Sequence, residues 1–193
     1  MKKQILFAHS AGPQNGPGQG SHDLVSWLRA ELNDEYEIFA PVIEHPESPT
    51  YTQWKKVLKA AFAATKDPLF LIGHSLGGSV LLKYLSEETP PIAVDGLFLI
   101  AVPYWGAEDW KVEEFMLRKD IEKALRDIPA IYLYHSAEDE SVPVSHLSLY
   151  RNKLKNAVVR ELKGYGHEFS HGLPELVKDL HSTTSQQRQR GTR

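Results

Sequence analysis

The sequence predicts an α/β fold, a mostly parallel six-stranded sheet with helices on both faces. Three observations predict it. Short runs that are apolar at every position recur along the chain, as strands buried between two helix layers should be. Longer stretches with apolar residues at helical spacing alternate with them, and such alternation implies parallel strands covered on both sides. The length, 193 residues with 41% hydrophobic and 24% charged, suits one globular domain with a sizeable core.

Taken in order, residues 5–8 form a first buried strand, and residues 9–20 form a loop rich in Gly and Pro. Ser21 or Asp23 can cap the next helix, where Leu24, Val25, Trp27, Leu28 and Leu32 fit helical spacing. Residues 36–40 make a second strand. Residues 51–64 make a helix with Trp54, Val57, Leu58, Ala61 and Phe62 on one face. The apolar run 69–72 is the central strand, and Pro90 and Pro91 stop the helix after it. Further strands are expected at 96–102, 128–135 and 157–162, with helical stretches near 111–126, 143–154 and 173–181. Between the fourth and fifth strands there is room for an aromatic loop and one or two short helices, not for a cap domain. The domain is expected to span residues 1–181. Residues 182–193 are polar and aperiodic, with Arg188, Arg190 and Arg193, and are expected to be disordered.

Charge and composition exclude several functions. A net charge of −3 leaves no broad basic footprint for nucleic acid. With no cysteine there is no disulfide, thiolate nucleophile or thiolate metal site. The first apolar run is far shorter than a signal-peptide core, and no segment approaches membrane-spanning length. The expectation is a soluble cytoplasmic protein with no membrane partner.

The chemistry centres on Gly73-His74-Ser75-Leu76-Gly77, placed after an apolar strand and before a helix. In that context Gly-x-Ser-x-Gly is a nucleophile elbow. A sharp turn lifts the serine above the sheet edge and forces the positions two before and two after it together, where glycine has no Cβ to clash. Gly78 lets the following helix lie close. An elbow serine needs a base, an orienting acid and an oxyanion hole. The acid belongs past a strand after the elbow. Asp139 suits it through Asp-x-x-Val-Pro, while Glu138 and Glu140 read as solvated loop charges. The base belongs after the last strand, where Gly166-His167 lies, with His171 as its rival. His74 reads as support for the elbow's packing. Oxyanion amides are expected from Leu76 and, after the first strand, from Ala11. Tyr104, Trp105 and Trp110 are expected to wall a shallow acyl pocket, with Tyr165 and Phe169 near the histidine and Phe115 in the core.

Three other patterns fail on their chemistry. Gly16-Pro17-Gly18-Gln19-Gly20 is not a dinucleotide turn, and Pro13 and Pro17 remove amides that a phosphate would need. No Gly-Lys-Ser/Thr is present for a phosphate loop. His167-Glu168-Phe169-Ser170-His171 matches His-Glu-x-x-His, but Gly166, Gly172 and Pro174 leave no sustained helix to put both histidines on one face.

On these residues, with Trp27, Trp54 and the loop at His9, the chain resembles the α/β-hydrolases from strand one to about Leu180. Within them it is similar to the small single-domain serine hydrolases related to retinoblastoma-binding protein 9. The resemblance implies a Ser75–Asp139–His167 triad and a compact hydrolase that lacks the first strands of larger relatives. One departure stands out: many relatives have His-Gly after strand one, and this chain has His9-Ser10. The reading is a hydrolase of small carboxylic esters, or of thioesters or amides, that acts through an acyl-serine without cofactor or metal. The alternative is a protein-binding module on a hydrolase scaffold, since the family's name records a protein partner.

Overall fold

The computed structural model describes residues 2–66 and 68–190. Strands β1 (Lys3–Ala8), β2 (Tyr36–Phe39), β3 (Leu69–His74), β4 (Val94–Ile100), β5 (Ile131–Ser136) and β6 (Val158–Leu162) form one sheet in the order β2-β1-β3-β4-β5-β6. All five pairings are parallel. Side chains alternate across a strand, so the fully apolar strands feed two cores at once. Ile5, Phe7, Phe70, Ile72, Phe98 and Ile100 face α1 (His22–Glu31) and α6 (Pro174–Arg190). Leu6, Leu71, Leu97 and Leu99 face α2 (Tyr51–Ala64), α3 (Leu76–Glu87) and α5 (Ser145–Lys153). No helix among the described residues is long and apolar enough to cross a membrane.

This order positions the site. From β1 the chain runs outward to β2, then crosses back to β3 on the other side of β1. A crevice therefore opens between the loops after β1 and β3, the usual ligand position in such sheets. Ala11, Ser75, Asp139 and His167 all follow the carboxyl ends of strands, at this one edge.

Three elements differ from expectation. The helical stretch over 111–126 reduces to a 3-10 turn at Glu113–Phe115 and the short α4 (Ile121–Ala124). Its polar groups are spent on neighbours rather than on a helix of its own. Met116 C=O accepts from Lys83 Nζ at 2.9 Å, and Glu114 Oε2 accepts the Tyr51 N–H at 2.9 Å. Strand β4 ends two residues before expected, where Ala101 turns to φ 49°. The disordered tail is not what the structure holds over residues 182–190, because α6 runs on to Arg190. Residues 191–193 lie outside the described residues. Within this helix Ser182, Thr183, Thr184 and Ser185 each satisfy their hydroxyl by donating it to the carbonyl four residues back. Thr184 also extends the inward stripe of Leu176 and Leu180, and its Oγ1 lies 2.8 Å from the Tyr36 hydroxyl.

Candidate active site

Ser75 occupies the turn between β3 and α3 with φ 52° and ψ −122°, a conformation that costs a non-glycine residue on the order of 1–3 kcal/mol. The surroundings enforce it. Ser75 N donates to Ile100 C=O at 2.8 Å. A Cβ on Gly73 would stand 2.5 Å from Gly78 Cα, and one on Gly77 would stand 2.0 Å from the Ala8 carbonyl oxygen. Gly73 thus faces the helix start as expected, while Gly77 is pressed against the end of β1.

Ser75 Oγ lies 3.1 Å from His167 Nε2. His167 Nδ1 lies 3.0 and 2.9 Å from the two oxygens of Asp139. With Nδ1–H given to the carboxylate, Nε2 is left bare to accept the serine proton. The Asp139 side chain is fully buried, yet it accepts N–H groups from Ser141 (2.9 Å) and Val142 (2.7 Å) and lies 3.2 Å from His135 Nε2. Burial pushes its acidity down, but the hydrogen bonds from His135, His167 and Val142 outweigh this and hold its pKa well below the usual carboxylate range.

Glu138 and Glu140 are exposed, but they are more than solvated charges. Glu138 Oε2 accepts from Gly164 N at 2.7 Å, and Glu140 Oε2 accepts from His167 N at 3.3 Å, so both brace the histidine loop. His171 is exposed on the following turn, and it is His167 that meets Ser75. Residues 167–171 run through turns, so the two histidines share no helix face. No group of three or more metal-binding side chains occurs among the described residues.

Two amides, those of Leu76 and Ala11, are the candidates for receiving a developing oxyanion. Leu76 is the first residue of α3, where N–H groups lack intrahelical acceptors. Of the amides after β1, Ser10 N donates to Ser21 Oγ (2.9 Å) and Gly12 N to Pro46 C=O (2.8 Å), which leaves that of Ala11. Ser21 starts α1 without capping it, and Asp23 Oδ2 instead takes the Gly18 N–H at 3.0 Å. The Ser21 hydroxyl lies 2.8 Å from His74 Nδ1. His74 Nε2 lies 2.9 Å from the carbonyl of His167, so His74 supports the histidine loop as well as the elbow. Sequence reasoning missed Gln14, Ser21 and His135. Gln14 stands in a Gly/Pro loop, where nothing signals burial, and Ser21 reads as an ordinary cap.

Trp105 and Trp110 form one half-buried aromatic pair, whereas the ring of Tyr104, also half-buried, lies 5.1 Å from that of Tyr150. Trp105 Nε1 donates to Ser79 Oγ at 2.8 Å, one helical turn beyond Ser75. Its ring lies 5.3 Å from Trp110 and 5.2 Å from the buried Phe115. Trp110 stands 5.2 Å from His146, whose Nδ1 accepts the Tyr104 N–H at 2.8 Å. Tyr165 stacks on Phe169 at 5.2 Å, and Phe169 is wholly buried, a core residue rather than a pocket wall.

The family model described as serine hydrolase matches residues 20–172. No curated protein matches the chain. Among solved structures, the chain is similar to the ydeN gene product from B. subtilis, at 20% identity over 95% of this chain and 100% of that one, with a TM-score of 0.80. A sugar hydrolase, YeeB, from Lactococcus lactis matches at 17% identity over 100% and 91%, with a TM-score of 0.69. Est1E from Butyrivibrio proteoclasticus, with ferulic acid bound, matches at 14% identity over 99% and 90%, with a TM-score of 0.65. At such identities the likeness establishes the α/β-hydrolase fold.

Proposed function

The chain belongs to the serine hydrolase family, and we propose that it hydrolyses small carboxylic esters through an acyl-serine intermediate, as a compact relative of the retinoblastoma-binding protein 9 group. One observation carries the reading: Ser75 Oγ, His167 and Asp139 stand in an unbroken hydrogen-bonded line above a strained elbow. Ser75 attacks the acyl carbon as His167 Nε2 takes its proton, and His167 then gives that proton to the leaving alkoxide. Asp139 keeps the imidazole in the tautomer with Nδ1–H. The Leu76 and Ala11 amides receive the negative oxygen, with the N-terminus of α3 behind it. Water repeats the sequence on the acyl-serine. Thioesters and activated amides follow the same route. Tyr104, Trp105 and Trp110 would line the acyl side. The charge and composition fit action in the cytoplasm, with neither nucleic acid nor membrane as partner.

The alternative, a protein-binding module without catalysis, gives no reason for an ionised carboxylate held in full burial or for strain at Ser75. The test is labelling with a fluorophosphonate probe alongside hydrolysis of p-nitrophenyl acetate. Label is expected on Ser75, and Ser75→Ala is expected to lose both signals, with turnover down on the order of a millionfold. Folded wild-type protein that takes no label and turns over no ester would sink the proposal and favour the binding module.

A further inference from the structure

Four polar residues outside the proposed triad are buried together beside it: Ser10 and Gln14 at 3% exposure, Ser21 and His74 at 0%. Buried polar groups are costly unless matched, and these are matched to one another in a continuous path. Gln14 Nε2 donates to Ser10 C=O at 2.9 Å, and Gln14 Oε1 accepts from Ile43 N at 3.3 Å. Ser10 N donates to Ser21 Oγ at 2.9 Å, and the two serine hydroxyl oxygens lie 3.1 Å apart. Ser21 Oγ meets His74 Nδ1 at 2.8 Å, and His74 Nε2 meets His167 C=O at 2.9 Å.

We propose that Gln14, Ser21 and His74 are positioning residues, joined in one buried relay that sets the oxyanion-binding amide of Ala11 at one end and the His167 loop at the other. The proposal rests on the reading of Ser75 as an acylating nucleophile.

The oxyanion end follows from peptide geometry. Ser10 C=O and Ala11 N–H belong to one planar trans unit and point in opposite directions. A donor on that carbonyl fixes where the amide points. It also polarises the unit, and so makes the N–H a stronger donor. Gln14 is that donor, itself held by Ile43 of the next loop. The base end follows from the tautomer of His74. Facing a carbonyl, Nε2 must carry the proton, so a neutral ring presents a bare Nδ1 to the Ser21 hydroxyl. Burial, and then the nearby His167, lower the His74 pKa to about 3, which keeps the ring neutral at ordinary pH. His74 immediately precedes Ser75, so the strand that presents the nucleophile also holds the backbone from which the base hangs. Ser10 adds a hydroxyl to the middle of this path.

The test uses Gln14→Met, which keeps length but loses both amide bonds, and Ser21→Ala, which cuts the path at its centre. For each, kcat and KM for p-nitrophenyl acetate are measured, with inhibition by a trifluoromethyl ketone that mimics the tetrahedral intermediate, and Tm as the folding control. Full removal of an oxyanion donor costs about a hundred- to a thousandfold in kcat. A mis-aimed donor should cost less, about ten- to a hundredfold, with KM within about twofold and ketone affinity weakened in proportion. Wild-type kcat with lowered Tm in either variant would reduce the network to packing and overturn the proposal. A rise in KM with kcat held would overturn it too, by assigning the loop to substrate binding. The underlying reading fails separately: Ser75→Ala that still turns over ester refutes the nucleophile, whereas inactive Ser75→Ala beside fully active Gln14→Met and Ser21→Ala refutes only the relay.

Discussion

Asp139 is set apart from its neighbours by its donors. Glu138 and Glu140 lend their oxygens to backbone amides of the histidine loop, but Asp139 alone reaches His167 Nδ1. Asp139→Asn should therefore lower kcat about ten-thousandfold, through the wrong imidazole tautomer, while Glu138→Gln should cost less than about tenfold. A larger loss at Glu138 in steady-state kinetics would move the acid. Two other buried side chains make stability depend on pH. Burial lowers His9 to about 4 and His74 to about 3, against an ordinary value of 6.5. The unfolded chain therefore takes up protons first as pH falls. This contribution is fully present above about pH 6.5 and is lost as pH drops toward 3. Tm should fall steadily from pH 6.5 to 4. His9→Leu, which also removes the buried Nδ1 that meets no partner among the described residues, should flatten that slope in thermal melts across the range.

Helix α6 was only half legible, for a physical reason. Leu173, Leu176 and Leu180 announce an apolar stripe, but past His181 the run Ser-Thr-Thr-Ser has no apolar residue to continue it. Its inward face is finished by hydroxyls that bond backward to carbonyls and across to Tyr36, and polar residues do not advertise burial. Deleting residues 182–193 should therefore destabilise the fold. The Thr184–Tyr36 bond alone is worth about 1 kcal/mol, or roughly 2–4 °C in a chain of this size. Removing the buried Thr183 adds to this. Differential scanning calorimetry that finds an unchanged Tm would mean that residues 182–190 contribute nothing to the packing of α6. The elbow was legible because Gly73 and Gly77, on either side of Ser75, answer to backbone clearances that no other residue type meets. The buried relay was not, because a hydrogen bond between Ser21 and His74, 53 residues apart, leaves no local pattern.

At the scale of the whole molecule, the question is what can reach Ser75. In this fold a lid would lie between β4 and β5, and that stretch is fastened down. Trp105 is tied to Ser79, Met116 to Lys83 and Glu114 to the start of α2, while Phe115 is buried against α3 and its neighbours. Lifting residues 105–116 alone would expose Phe115, at roughly 1.5–3 kcal/mol, and break those three hydrogen bonds of about 1 kcal/mol each. A sum near 5 kcal/mol leaves an open form on the order of one molecule in several thousand. Among the described residues the exposed large apolar side chains are Val42, Val112, Leu149 and Val158, one to a segment and none aromatic. The substrate should therefore be small and dissolved. p-Nitrophenyl acetate and butyrate should be cleaved at least tenfold faster in kcat/KM than the palmitate ester, with no jump in rate where substrate begins to form micelles. A chain-length series crossing each ester's solubility limit decides it. A maximum at long chains, or a sharp rise at the micellar threshold, would mean that residues 103–126 detach as a lid and that the enzyme acts at lipid surfaces.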